Sequence, residues 1–148
     1  MSQIARDIIA TLRLERHPEG GWYTQSFQDA AGPGERAQST AIYYLLEAGD
    51  TSHWHRVDAV EIWHYYAGAS LTLRVSDGAD VQEHRLGGDI LRGERPQFVV
   101  RRSVWQSAFS TGDWTLVGCT VAPGFQFSGF ELAPKDWSPG LTAPCRDH

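Results

Sequence analysis

The sequence predicts an all-β domain led by one short helix, and three observations carry that reading. Short segments rich in Val, Ile, Thr, Phe, Tyr and Trp recur between residues 22 and 131, with turn residues about every 8–12 positions. Residues 71–76 alternate cleanly, with Leu71, Leu73 and Val75 on one parity and Thr72, Arg74 and Ser76 on the other, as in a half-buried strand. Six Trp, six Phe, five Tyr and six His in 148 residues suit strands around a lined cavity better than a helical bundle.

Each element follows from local pattern. Ile4, Ile8 and Leu12 form a stripe widened by Ala5 and Ile9, with Ser2 as N-cap, which predicts a helix over residues 3–14. His17-Pro18-Glu19-Gly20-Gly21 breaks it. Strands are expected at residues 22–27, 39–46, 53–56, 60–66, 71–76, 81–86, 97–101, 104–110, 114–121 and 125–131. Asp77-Gly78 makes a hairpin of the strands on either side. Beyond Pro134 the chain reads as an irregular tail. Neither linker nor repeat interrupts the pattern, so residues 1–148 are expected to form one domain with its core at about 14–133.

Composition narrows the function classes. A hydrophobic fraction of 41% and a charged fraction of 21% exclude disorder as the main state. Net charge is -5 and Lys135 is the one lysine, which argues against nucleic acid as a partner. The longest apolar run, at residues 41–46, falls far short of the roughly 20 residues of a membrane span. The first 17 residues have no leader-like apolar core. Cys119 and Cys145 give no disulfide framework, so a cytoplasmic protein is expected.

The informative stretch is His53-Trp54-His55, followed by Glu61, Trp63-His64 and Gly68. Strand alternation puts His53 and His55 on one face, and a turn at residues 57–59 folds Glu61 back beside them. Two imidazoles and a carboxylate suit Zn, Fe, Mn or Ni; the same triplet is equally at home as two surface or core histidines. Trp63 and Tyr65 share parity with Glu61 and are expected on the pocket wall, whereas His64 and Tyr66 face away. One of Tyr43 and Tyr44 must face the lumen; alternation does not say which, and Tyr44 is carried as a ligand-binding candidate. Arg56 beside Asp58 reads as an ion pair. Cys119 reads as a small buried hydrophobe. His17-Pro18-Glu19-Gly20-Gly21 reads first as a fixed turn.

Four blocks carry a resemblance: Leu14-x2-His17-Pro18-Glu19-Gly20-Gly21-x-Tyr23, Ser52-His53-Trp54-His55-Arg56-x-Asp58, Glu61-x-Trp63-His64-x-Tyr66-x-Gly68 and Gly118-Cys119-x-Val121-Ala122-Pro123-Gly124-Phe125. Together they resemble the DUF985, or cupin_5, group of the cupin superfamily. The resemblance implies a double-stranded β-helix, the jelly-roll barrel, and by analogy a homodimer. It also implies a metal site at His53, His55 and Glu61. The second cupin signature, Pro-x-Gly-x2-His, corresponds here to Arg101-x-Ser103-x2-Gln106, so Gln106 takes the place of the fourth ligand. The resemblance also places the residue 17–21 turn near the pocket mouth, where His17 or Glu19 could touch a ligand.

Three functions are compatible with these features. The first is an epimerase- or isomerase-type enzyme acting on a sugar or similar polar carbonyl compound, with His53 or His55 as base and Glu61 orienting it. The second is a metal-dependent dioxygenase or hydrolase using His53, His55, Glu61 and Gln106 around a divalent ion. The third is a non-catalytic small-ligand-binding protein. The first is the reading adopted, with no metal as admissible as a metal.

Overall fold

The computed structural model describes residues 2–140. Cys145 and the end of the irregular tail lie outside the described residues.

Helix α1 spans Gln3–Leu12. Ser2 caps it by accepting the Ala5 amide, and Arg13 ends it in the left-handed region at φ 57°. The strands follow in chain order: β1 Glu15–Arg16, β2 Trp22–Gln28, β3 Thr40–Glu47, β4 Thr51–Val57, β5 Val60–Gly68, β6 Leu71–Ser76, β7 Val81–Leu86, β8 Gln97–Val100, β9 Trp105–Ser110, β10 Trp114–Ala122 and β11 Phe130–Leu132. The expected strand at residues 125–131 is largely a loop with a 3-10 turn at Phe127–Gly129, and only its end pairs as β11.

The strands form two antiparallel sheets, one ordered β1-β2-β3-β10-β5-β8 and the other β11-β4-β9-β6-β7. Consecutive strands β4 and β5 lie in different sheets, so the two-residue turn at Asp58 and Ala59 carries the chain across the sandwich. The expected hairpin joins β6 and β7, with Ser76 opposite Val81.

The space between the sheets is divided lengthwise. At one end Tyr44, Leu46, Trp63, Leu71, Leu73, Leu86, Val100 and Val117 form a closed apolar core, with Val75 partly buried against it. Leu71 and Leu73 have no exposed surface, and burial of each stabilises the fold by about 2 kcal/mol. At the other end Val57, Ala59 and Val121 meet Phe125 and Phe130 more loosely. Helix α1 covers part of the outer face of the six-stranded sheet, seating Ala5 and Ile8 with Leu45 and Tyr43. Tyr43 therefore faces outward and Tyr44 inward, which answers the question that alternation left open.

Candidate functional site in the barrel

Two buried motifs meet at the loosely packed end. The first is the turn at residues 17–21. Gly20 and Gly21 take φ values of 107° and 79°, open to glycine and strained for other residues. A Cβ on Gly20 would collide with the Thr51 carbonyl oxygen, and one on Gly21 with the Tyr44 hydroxyl. The turn thus packs flush against β3 and β4 and plants His17 and Glu19 inside the barrel. The Glu19 carbonyl also accepts the His53 amide at 2.8 Å.

Glu19 is the hub of this motif. One carboxylate oxygen, Oε2, lies 2.9 Å from His55 Nδ1 and accepts the Ser52 hydroxyl. Burial alone would push the Glu19 carboxyl up, but His55, with help from the Ser52 hydroxyl, outweighs it and holds it below its ordinary value. The same pairing acts on His55: burial would lower its pKa, yet Glu19, with Glu61 and the His53 carbonyl, raises it to about 9. His55 is then an imidazolium and Glu19 its carboxylate. His17 is different. Its Nδ1 accepts the Glu19 amide at 3.1 Å, and burial lowers its pKa, so it is neutral. The 3.2 Å approach of Glu19 Oε1 to that nitrogen is therefore a close contact and not an ion pair.

The second motif bridges the two sheets. Glu61 on β5 accepts from the Gln106 side-chain amide at 2.8 Å, and Gln106 on β9 accepts from Trp63 Nε1 at 2.7 Å. Burial pushes the Glu61 carboxyl up to about 7; His55 opposes the rise, Glu19 adds to it, and the Gln106 and Cys119 hydrogen bonds resist it. Burial also pushes the Cys119 thiol far up, so it stays protonated.

His55, Glu19, His17 and Glu61 form the floor of a cavity of about 200 Å³. Its walls are Ile42, Val57, Val121, Tyr23 and the loop residues Phe125, Phe127 and Phe130.

The sequence profile of Cupin_5, described as Cupin superfamily (DUF985), matches residues 6–133. The chain belongs to this cupin family. The cupin is similar to a protein from Shewanella oneidensis at 42% identity, over 87% of this chain and 84% of that one, with a TM-score of 0.83. It is similar to a hypothetical protein from Leishmania major at 30% identity, over 87% and 86% of the two chains, with a TM-score of 0.78. Oxalate decarboxylase from Bacillus subtilis shares the fold alone, at 12% identity over 80% of this chain and 29% of that one, with a TM-score of 0.61. None of the curated proteins compared matches. Among the described residues, no helix is long and apolar enough to cross a membrane.

The cupin barrel brings together only part of the expected site. His55 and Glu61 line the cavity. His53 does not join them. Pairing of β4 with β9 slips between Ser52 and His55, and this bulge breaks the alternation, so Ser52 and His55 both face Glu19 while the His53 ring meets the Pro134 carbonyl at 2.9 Å. Gln106, Trp63 and Tyr44 stand behind the cavity floor, Tyr44 donating to the Gly20 carbonyl. Tyr65 faces inward with Trp63 as expected but packs on the closed core at the far end. The expected Arg56–Asp58 pair is replaced by Arg56 with Glu131 and Arg36 with Asp58, each at 2.7 Å, because the turn at Asp58 swings its carboxylate away from β4.

The donor set that the family resemblance implies for a metal is not assembled. His53 faces away, the Gln106 carbonyl oxygen is occupied by Trp63, and His55 Nδ1 is held by Glu19 and the His53 carbonyl. Among the described residues no group of three or more His, Cys, Asp or Glu side chains is arranged to hold an ion.

Proposed function

We propose that this cupin binds a small carbonyl compound inside the barrel and moves a proton on it, the redox-neutral chemistry of an isomerase or epimerase. One observation supports the reading above others: two buried carboxylates face the same cavity in opposite environments. Glu19 is clamped by His55 and Ser52, whereas Glu61 accepts from one amide and one thiol and burial dominates its environment. Environments that drive two acids apart in this way set up an acid–base pair.

The roles follow from the partners. His55 Nδ1 is held by Glu19, and none of the described residues bonds Nε2, so the imidazolium can donate Nε2–H to a carbonyl oxygen. Glu61, pushed up to about 7 by burial, is poised close to neutrality and is suited to take a proton from the carbon next to the carbonyl. The C–H electron pair moves into the C–C bond, the carbonyl pair moves to oxygen, and His55 stabilises the enolate. Glu61 then returns the proton to the same or another carbon. No oxidant or co-reactant is required. The reading makes Glu61 the base and His55 the electrophile, where the sequence suggested His53 or His55 as base with Glu61 orienting it.

Proton NMR in deuterated buffer tests it. Deuterium should enter the α-position of a bound ketone with the wild-type protein, and Glu61→Gln should slow exchange by about 10²–10⁴-fold. Chelator treatment should leave exchange unchanged; loss on chelation would favour a metal-dependent enzyme, and no exchange with any bound carbonyl compound would favour a non-catalytic binder.

A further inference from the structure

We infer that the barrel selects an uncharged, largely apolar carbonyl compound about the size of a substituted benzene, in preference to a sugar or a carboxylate. The inference deepens the proposed function and rests on it for the position of the carbonyl group.

Size sets the first limit. A cavity of roughly 150 Å³ accommodates benzene, and this one, at about 200 Å³, admits one ring with a short substituent. A nucleotide-linked sugar could not be enclosed in this volume.

Charge sets the second. Among the described residues none of the lining side chains is Lys or Arg. The cationic His55 already faces the Glu19 carboxylate at 2.9 Å, and Glu61 adds a second acid. An anionic ligand would enter a site where His55 is already paired with Glu19 and Glu61 stands as a second acid, so its charge would be poorly compensated for the water it leaves.

Polarity sets the third. The floor is polar, while the mouth is rimmed by three phenylalanines: Phe125 meets Phe127 edge to face at 5.0 Å, and Phe127 meets Phe130 at 6.0 Å. Phe127 keeps 56% of its surface exposed at this rim, so an apolar ligand in the mouth would cover it. Away from the floor the polar side chains are Tyr23, Gln25 and Thr40, and Thr40 Oγ1 already accepts the Phe125 amide at 2.9 Å. A sugar, with a hydroxyl on nearly every carbon, would leave most of them unpaired against these rings. A molecule with one carbonyl end and one hydrocarbon body fits both halves.

Calorimetric titration of the full-length protein with four probes of similar size tests the inference. Acetophenone should bind with a dissociation constant of about 0.1–1 mM. Ethylbenzene, which lacks the carbonyl, should bind about tenfold more weakly, and benzoate and glucose at least about tenfold more weakly than acetophenone. Phe127→Ala, at an exposed position that the fold tolerates, should weaken acetophenone several-fold. Benzoate or glucose binding as tightly as acetophenone, no acetophenone binding, or indifference to Phe127→Ala would each overturn the ligand class. If acetophenone binds as expected while no deuterium enters its methyl group, the ligand class stands and the proton-transfer function fails.

Discussion

Trp63 Nε1 donates to Gln106 Oε1 at 2.7 Å, and this bond decides which end of the Gln106 amide Glu61 meets. Indole N–H can only donate, so the amide oxygen must face it and the amide nitrogen must turn to Glu61, at 2.8 Å. A tryptophan behind the wall thereby sets the hydrogen bonding of a carboxylate in the cavity. The two bonds also join the two sheets, since Trp63 and Glu61 lie on β5 and Gln106 on β9.

Gln106→Leu should therefore act twice. It orphans the Trp63 N–H and removes the donor that resists protonation of Glu61, so stability should fall by about 1–3 kcal/mol in urea denaturation. The Glu61 titration should also move above 7, because burial pushes it up and Gln106 is one of the groups opposing the rise.

The two histidines of the triplet should separate cleanly. His53→Ala loses one exposed bond to Pro134 and should cost about 0.5–1.5 kcal/mol while leaving acetophenone affinity unchanged. His55→Ala leaves Glu19 buried without its cation, and should cost about 3–5 kcal/mol and abolish binding. Equal effects of the two substitutions on binding would contradict the geometry.

Stability should depend on pH in a definite direction. His55 is raised from 6.5 to about 9, so its contribution is complete below pH 6.5 and disappears as pH climbs through 9. Glu61 is raised from 4.5 to about 7, so the folded state increasingly bears the cost of burying its charge as pH rises from 4.5 through 7. Glu19 works the other way: its pKa is lowered, so its contribution is present above pH 4.5 and fades as pH falls through its folded value. Thermal unfolding should show a maximum between about pH 4.5 and 6.5 and a fall of several kcal/mol by pH 9. Glu61→Gln should flatten the part of that fall between pH 4.5 and 7.

Gly21→Ala tests the turn that plants Glu19. At φ 79° the new Cβ is strained and would press on the Tyr44 hydroxyl. A loss of about 2–3 kcal/mol is expected, with weaker acetophenone binding because His17 and Glu19 shift with the turn.

What the sequence revealed and what it hid have separate physical causes. The alternation of Leu71 and Leu73 was legible because it is a local consequence of the pleat, as were the stripe of α1 and the Asp77-Gly78 turn. His55 and Glu61 were legible because the two-residue turn between β4 and β5 leaves few alternatives. The position of His53 was not. Alternation assumes an unbroken ladder, and the slip between Ser52 and His55 is a property of pairing with β9, more than 50 residues later in the chain. Glu19 was obscured for another reason: Pro18, Gly20 and Gly21 announce a turn so strongly that a fixed turn is the first reading, ahead of a ligand contact by the carboxylate among them. The signal available was the density of special backbone residues around one acid and one histidine. Phe125, Phe127 and Phe130 looked like a strand, and nothing local revealed that they bend over the barrel mouth.

Carbon-13 and nitrogen-15 NMR titration of the glutamate carboxyl and histidine imidazole groups, assigned with Glu61→Gln and His55→Asn, tests the opposed environments most directly. The expected result is a Glu61 carboxyl titrating at about 7 and a His55 imidazole that stays protonated up to about pH 9. Titration of Glu61 near its ordinary 4.5 together with His55 near 6.5 would contradict it, since the cavity would then hold neither a base poised for neutral pH nor a cation to receive the enolate.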